Sequence, residues 1–127
     1  KKDRVLLLRA KEASQVFINC LKQVEIGYTD LGIYETVCDY RKMTELSRIV
    51  NEMDYIIFAS SSAVKAFASM SEFEKIDRVA PKVICIGPVT RDTAVSCGLS
   101  VYDTAVTYDV NGMIQCLLKD KKGRKEE

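Results

Sequence analysis

The sequence predicts an α/β fold in which helices cover a parallel sheet. Its 127 residues contain five short β-prone segments, each followed by a segment whose apolar residues have helical spacing. Several strand segments are continuous apolar runs, which is typical of strands covered on both faces. Strands and helices that alternate in this way pack most simply as parallel strands with right-handed crossovers. We therefore expect a three-layer, flavodoxin-like sheet of strand order 2-1-3-4-5, as one domain or as half of a two-domain protein.

The first two strand–helix pairs lie within residues 5–53. Val5–Leu8 is an apolar run, and a helix with apolar residues on one face follows over residues 14–22. Residues 26–37 are rich in β-branched and aromatic side chains and predict an extended segment. Residues 43–53 again have helical spacing.

The remaining elements follow with clear boundary signals. The predicted strands cover residues 55–58, 83–86 and 100–102, and the predicted helices cover residues 62–70, 90–97 and 110–119. Gly98 is placed to end a helix, and Asp109 is placed to cap the last one. We expect one α/β domain over residues 1–120 and a polar, solvated tail over residues 121–127. The chain starts without Met, and we expect it to be a piece of a longer chain.

The composition excludes several classes of function. The 19 basic and 18 acidic residues give a net charge of +1, without the basic stripe of a nucleic-acid binder. No apolar run is long enough to span a bilayer. Histidine is absent, so carboxylates, hydroxyls, amides or cations must carry any chemistry. We expect neither a cofactor nor a metal, and no Gly-rich phosphate-binding motif is present.

The five cysteines form no CxxC pair, which gives no support to zinc or dithiol chemistry. Cys85 lies in an apolar strand, and Cys20 and Cys116 lie on apolar helix faces. We expect them to be small buried hydrophobes of a cytoplasmic protein, where thiols stay reduced.

Two strand-to-helix turns are candidate binding sites. In the first, Ser60, Ser61 and Ser62 lie between a buried strand and a helix. Their hydroxyls can cap the helix, while unpaired N–H groups of its first turn favour an anion. Simple N-capping would explain one serine, so a structural and a ligand-binding role both stay open.

The second turn is Gly87-Pro88-Val89-Thr90. Gly87 allows the backbone to come close to a ligand, Pro88 suits a turn or a first helical position, and Thr90 places a hydroxyl at the start of the next helix. The alternative is an ordinary turn in which Thr90 is only the cap. Because the two turns follow consecutive strands, we expect them to be neighbours and to bind carboxylates together.

The order of these segments resembles the second half of the uroporphyrinogen-III synthase family. The resemblance is carried by four segments: VLLLR at residues 5–9, GIYETV at residues 32–37, DYIIFASSSAV at residues 54–64 and KVICIGPVT at residues 82–90. It implies two flavodoxin-like domains with the substrate, hydroxymethylbilane, in the cleft between them. The family closes this linear tetrapyrrole into the precursor of haem and cobalamin, with inversion of the last pyrrole ring, loss of water and no cofactor.

The resemblance also assigns roles to residues. Tyr34 matches the tyrosine proposed to assist departure of the hydroxyl group. Ser60 and Ser62 match a helix start that contacts substrate carboxylates, Thr90 matches the threonine of the second turn, and Arg9 falls near a basic position. A non-catalytic module that binds an anionic ligand or a protein partner is the rival interpretation.

The partners that the resemblance implies are the linear tetrapyrrole and the missing N-terminal half of the enzyme. A homodimer of the fragment and a parent fused to a uroporphyrinogen-III methyltransferase both stay open.

Overall fold

The computed structural model describes residues 3–70 and 81–125. The chain divides into two compact units, Lys1–Cys38 and Asp39–Glu127. Each is described here by itself.

Unit 1 is a single strand–helix–strand motif. Strand β1 covers Arg4–Ala10, helix α1 covers Val16–Gln23 and strand β2 covers Gly27–Tyr34. The strands pair in parallel, because the helical connection carries the chain back to the starting edge. The helix buries Ile18 and Leu21.

One face of this two-stranded sheet is apolar and exposed. Leu6 and Leu8 alternate along β1, and Leu31 and Ile33 alternate along β2. Leu8 pairs with Leu31, so these side chains share a face. The prediction that β1 is covered on both faces is therefore wrong for unit 1 within the described residues. Cys20 was also expected to be buried and is exposed.

Among its described residues, unit 2 contains the other three strands and four helices. Helix α2 covers Met43–Ile49 between short 3₁₀ turns at Tyr40–Lys42 and Val50–Glu52. The later elements are β3 at Tyr55–Phe58, α3 at Ser61–Ala68, β4 at Lys82–Cys85, α4 at Pro88–Ser96, β5 at Val101–Thr104 and α5 at Val110–Lys125. Each predicted element is present, with boundaries that shift by a few residues.

Alternation along β4 gives unit 2 two separate cores. Val83 and Cys85 point to one face, where they pack with residues of the 3₁₀ turn after α2 and of α3 and α4 such as Val50, Val64 and Ala94. Ile84 points to the other face and packs with Ala105 and with Met113 and Cys116 of α5. Helices therefore cover both faces of the β3–β5 sheet.

The five strands form two parallel sheets, of order β1-β2 and β3-β4-β5. The predicted neighbours 2-1 and 3-4-5 are present, but a single five-stranded sheet of order 2-1-3-4-5 is not observed among the described residues. Alternating strands and helices favour parallel pairing of consecutive strands. They do not specify pairing across the long connection from Tyr34 to Tyr55, which holds only α2 and two 3₁₀ turns.

The last helix runs six residues beyond its predicted end at Lys119, to Lys125. Residues 121–125, predicted as part of a polar tail, are exposed as expected but helical. Residues 126–127 lie outside the described residues.

A buried carboxylate anchors this extension of α5. Asp120 accepts hydrogen bonds from Lys82 Nζ at 2.7 Å, from the Tyr102 hydroxyl at 2.5 Å and from the Tyr55 hydroxyl, and Arg124 lies 3.1 Å away. The donors come from the amino-terminal parts of β4, β5 and β3. Lys82, followed by the two hydroxyls, holds the pKa of Asp120 well below its usual range.

Within residues 3–70 and 81–125, every helix is too short or too polar to cross a membrane.

Candidate functional site

The two predicted turns lie side by side at the carboxyl ends of β3 and β4. The strands pair in parallel with Phe58 opposite Cys85, so both chains leave the sheet at the same edge. The Ile86 N–H extends the pairing by donating to the Phe58 carbonyl at 3.0 Å. The turns then lead directly into α3 and α4, as the sequence predicted.

Ser60 is the N-cap of α3. Its backbone is extended, and its Oγ accepts a hydrogen bond from the Ala63 N–H at 3.2 Å, which is the usual capping geometry. The Ser62 hydroxyl lies 3.0 Å from the Ser60 hydroxyl and is exposed. Capping therefore accounts for Ser60 and leaves Ser62 at the surface of the first turn.

Ser61 joins the two helix starts. Its hydroxyl donates to the Val89 carbonyl at 3.4 Å and accepts from the Thr93 hydroxyl at 3.1 Å. Thr93 lies one turn along α4 from Val89, and its hydroxyl also bonds the Val89 carbonyl at 3.0 Å. This cluster fixes the first turn of α3 against the first turn of α4.

The start of α4 differs in detail from the alternative in which Thr90 is the cap. Gly87 is the N-cap and Pro88 occupies the first helical position, where its missing N–H removes no helical hydrogen bond. Thr90 is the third helical residue and is only 5% exposed. Pro88 thus takes the second of its two predicted places, and the alternative in which Thr90 caps the helix is wrong.

Four backbone N–H groups at these helix starts bond to none of the described residues. In α3, Ala63 bonds Ser60 Oγ and Val64 bonds the Ser60 carbonyl, which leaves the N–H groups of Ser61 and Ser62. In α4, Arg91 bonds the Gly87 carbonyl, which leaves those of Val89 and Thr90. Such amides, at the positive ends of two helix dipoles, favour an anion.

An aromatic ring borders the second turn. A Cβ atom built on Gly87 would lie 3.3 Å from Cδ1 and 3.4 Å from Cγ of Tyr108, so the ring packs against the glycine backbone. Tyr108 therefore approaches the Gly87 backbone closely, and the approach of a ligand to Gly87 stays a prediction. Tyr108 is itself 66% exposed.

The two candidate site residues in unit 1, Tyr34 and Arg9, differ in how far other residues of the unit engage their side chains. Tyr34 is the last residue of β2 and is 57% exposed. The Arg9 guanidinium instead donates to both carboxylate oxygens of Asp30 at 2.8 Å and to the Ser14 carbonyl. This pair raises the pKa of Arg9 and lowers the pKa of Asp30, so the Arg9 charge is largely neutralised inside unit 1.

No activated nucleophile lies at the end of β4. Burial raises the pKa of the Cys85 thiol to about 11, so it stays protonated at neutral pH. Within residues 3–70 and 81–125, no three Cys, Asp or Glu side chains are grouped as a metal site would need.

The sequence reasoning missed two features of this region, the cluster formed by Thr93 and the ring of Tyr108. The sequence did indicate Tyr108, because Tyr108 follows β5 and therefore lies near the edge of the sheet where β3 and β4 also end. Nothing in the sequence indicated Thr93, because a threonine one turn into a helix is commonplace.

The comparisons with known proteins agree on one family. Residues 1–115 match the family HEM4, described as Uroporphyrinogen-III synthase HemD. The fold is similar to that of the uroporphyrinogen-III synthetase from Helicobacter pylori 26695, with 24% identity and a TM-score of 0.72, over 94% of this chain and 54% of that one. It is also similar to the Thermus thermophilus uroporphyrinogen III synthase, with 18% identity and a TM-score of 0.61, over 93% of this chain and 50% of that one.

The chain thus spans about half the length of these two solved structures. No curated protein matches it. The family match covers residues 1–115, which include both units' strands and both helix starts. The chain therefore belongs to the uroporphyrinogen-III synthase family.

Proposed function

We propose that the chain is the C-terminal part of a uroporphyrinogen-III synthase. The full enzyme closes hydroxymethylbilane into a macrocycle, with inversion of the last pyrrole ring and loss of water, in the biosynthesis of tetrapyrroles in the cytoplasm. The observation that carries the proposal is the pair of adjacent helix starts. Their unpaired amides at Ser61, Ser62, Val89 and Thr90 suit a substrate that carries many carboxylates.

This arrangement suits the proposed reaction without a cofactor. Each exposed helix start contributes roughly 0.3–1 kcal/mol toward a carboxylate, so several contacts are needed to hold a polyanion. Binding that folds the linear tetrapyrrole brings its ends together and supplies part of the rate. The cation left by loss of hydroxide needs shielding from water more than it needs a strong base.

Tyr34 is proposed to assist departure of the hydroxyl group, because its exposed side chain ends β2 and can offer a proton donor. Arg9 is proposed to hold β2 against β1 rather than to bind substrate, because its guanidinium already donates to Asp30 and Ser14.

The N-terminal half of the longer enzyme is proposed to cover the apolar face of unit 1 and to extend the β3 edge of unit 2. Parallel sheets are normally covered on both faces, yet Leu6, Leu8, Leu31 and Ile33 are exposed. The two solved relatives are about twice as long as this chain. Helices on both faces of the β3–β5 sheet support a flavodoxin-like domain.

Binding of uroporphyrinogen III tests the proposed site. Anaerobic equilibrium dialysis, followed by oxidation to fluorescent uroporphyrin, gives the dissociation constant. We expect saturable binding that weakens at least tenfold when Ser60→Ala is combined with Thr90→Val. The matched control combines Ser69→Ala with Ser96→Ala, which removes two hydroxyls from the opposite ends of the same helices. Equal binding by the site variant and the control variant would exclude the site.

Product analysis tests the role of the missing half. The isolated chain, incubated with hydroxymethylbilane, should give only the spontaneous macrocycle whose last ring is not inverted. Addition of the separately expressed N-terminal half should yield the inverted isomer. Inversion by the isolated chain, as a monomer or as a homodimer, would contradict the proposed division of the enzyme.

A further inference from the structure

An apolar rim borders the two helix starts, on the segments that leave the carboxyl ends of β4 and β5. Val89, in the first turn of α4, is 76% exposed, and Val106, after β5, is 94% exposed. Tyr108 follows two residues later and packs its ring against Gly87. Val89 and the Tyr108 ring therefore lie on either side of Gly87, and Val106 is adjacent to them only through the chain. Exposed apolar side chains beside polar binding groups are typical of a ligand site.

The segment after β5 is held firmly, although its side chains are exposed. The Ala105 N–H donates to the Cys85 carbonyl at 2.9 Å, and the Asp109 N–H donates to the Thr107 carbonyl at 2.8 Å. Asp109 caps α5 by accepting from the Gly112 N–H at 2.7 Å, as its place in the sequence predicted. These bonds fix the backbone on both sides of Tyr108.

Gly112 adds a further constraint on the same segment. A Cβ atom at this position would lie 1.9 Å from the Thr107 carbonyl oxygen, so only glycine allows the backbone to pass so close. The tight path constrains the backbone at Thr107, next to Tyr108, and the Tyr108 ring packs against Gly87 at the start of α4. An exposed aromatic ring on a fixed backbone can stack on a flat ligand with little loss of conformational entropy.

We infer that Val89, Val106 and Tyr108 form a stacking surface for a pyrrole ring of the bound tetrapyrrole, while the adjacent amides bind its carboxylates. The inference rests on the proposed function and adds a specificity-determining surface to that site. A pyrrole that carries acidic side chains combines a flat apolar centre with a charged edge, and the rim and the helix starts match these two parts. Tyr108 acts through its ring, so its hydroxyl is dispensable.

Dialysis against uroporphyrinogen III tests this inference with three variants. Tyr108→Ala should weaken binding about three- to tenfold, as expected for loss of one aromatic stacking contact, and Tyr108→Phe should bind as wild type does. Val106→Ser should weaken binding about twofold. Val95→Ser is the matched control at the other end of α4, where Val95 is also exposed, and should leave binding unchanged.

The outcomes separate this inference from the proposed function. If wild type binds no uroporphyrinogen III, both fall. If wild type binds and the Ser60 and Thr90 double variant is weakened, but Tyr108→Ala and Val106→Ser bind as wild type does, only the stacking surface is excluded. Loss of binding in Tyr108→Phe as well as in Tyr108→Ala would also contradict stacking, because the ring is retained. Val106→Ser keeps the test decisive if Tyr108→Ala fails to fold, because a side chain exposed to this extent adds little to stability.

Discussion

Replacement of Ser60 by Asp separates helix capping from anion binding. Ser60 Oγ caps α3 by accepting from the Ala63 N–H, and Asp caps a helix about as well as Ser does. A carboxylate at this position also interacts favourably with the helix dipole, by about 0.3–1 kcal/mol. We therefore expect Ser60→Asp to fold and to be at least as stable as wild type.

The same substitution should oppose binding of a substrate carboxylate. One helical turn is about 5.4 Å long, so we take about 6 Å as the separation between the new Asp and a carboxylate held by the Ser61 and Ser62 amides. At that distance, like charges repel by about 0.7 kcal/mol in bulk water and about 2.8 kcal/mol at an effective dielectric constant of about 20. The dissociation constant for uroporphyrinogen III should therefore rise roughly 3- to 100-fold.

Ser60→Asn is the matched control, because Asn also caps well and carries no charge. Thermal unfolding measures the stability of both variants, and anaerobic dialysis measures their affinity. We expect the dissociation constant of Ser60→Asn to stay within about twofold of the wild-type value, a free-energy difference below about RT. Unchanged affinity in Ser60→Asp, with the fold intact, would refute the assignment of the α3 start as a carboxylate site.

Two further predictions concern stability. Gly112→Ala should unfold the chain or lower its Tm strongly, because the new Cβ would collide with the Thr107 carbonyl. Gly123→Ala in the same helix is the control: its new Cβ meets nothing within 4 Å, and it should stabilise the helix by about 0.5–1 kcal/mol. Equal Tm values of the two variants in circular dichroism would contradict this prediction. Asp120→Asn should destabilise at neutral pH. Because folding lowers the pKa of Asp120, the ionised carboxylate stabilises the fold at pH values above the unfolded-state pKa of about 3.9, and this stabilisation is lost as the pH falls below that pKa. The Tm difference between Asp120→Asn and wild type should therefore shrink in acid. A difference that stays constant from pH 7 to pH 3 would rule this out.

The α/β class and the order of elements could be predicted from the sequence because each depends on local signals. The apolar run Tyr55–Phe58 marks a strand that matches the structure residue for residue. Gly98, with φ of 84°, ends α4 as expected for glycine in the left-handed region. The grouping of the five strands into two sheets could not be predicted, because it depends on contacts between segments that are distant in sequence.

The neighbouring position of the two turns was predictable from the sequence, but the contacts of their side chains were not. Parallel pairing of consecutive strands placed the two turns together. The three serines look alike in the sequence, yet Ser60 caps, Ser61 joins the helices and Ser62 faces solvent. A hydroxyl bonds whichever partner the tertiary structure brings near it, and a single sequence does not specify that partner.

The most direct test of the central claim is an amide chemical-shift titration of the ¹⁵N-labelled chain with uroporphyrinogen III under anaerobic conditions. If both helix starts bind the same tetrapyrrole, the amides of Ser61, Ser62, Val89 and Thr90 should shift together with one dissociation constant. Shifts confined to one helix, or centred on Lys82 and Asp120 at the amino-terminal edge of the sheet, would contradict the account.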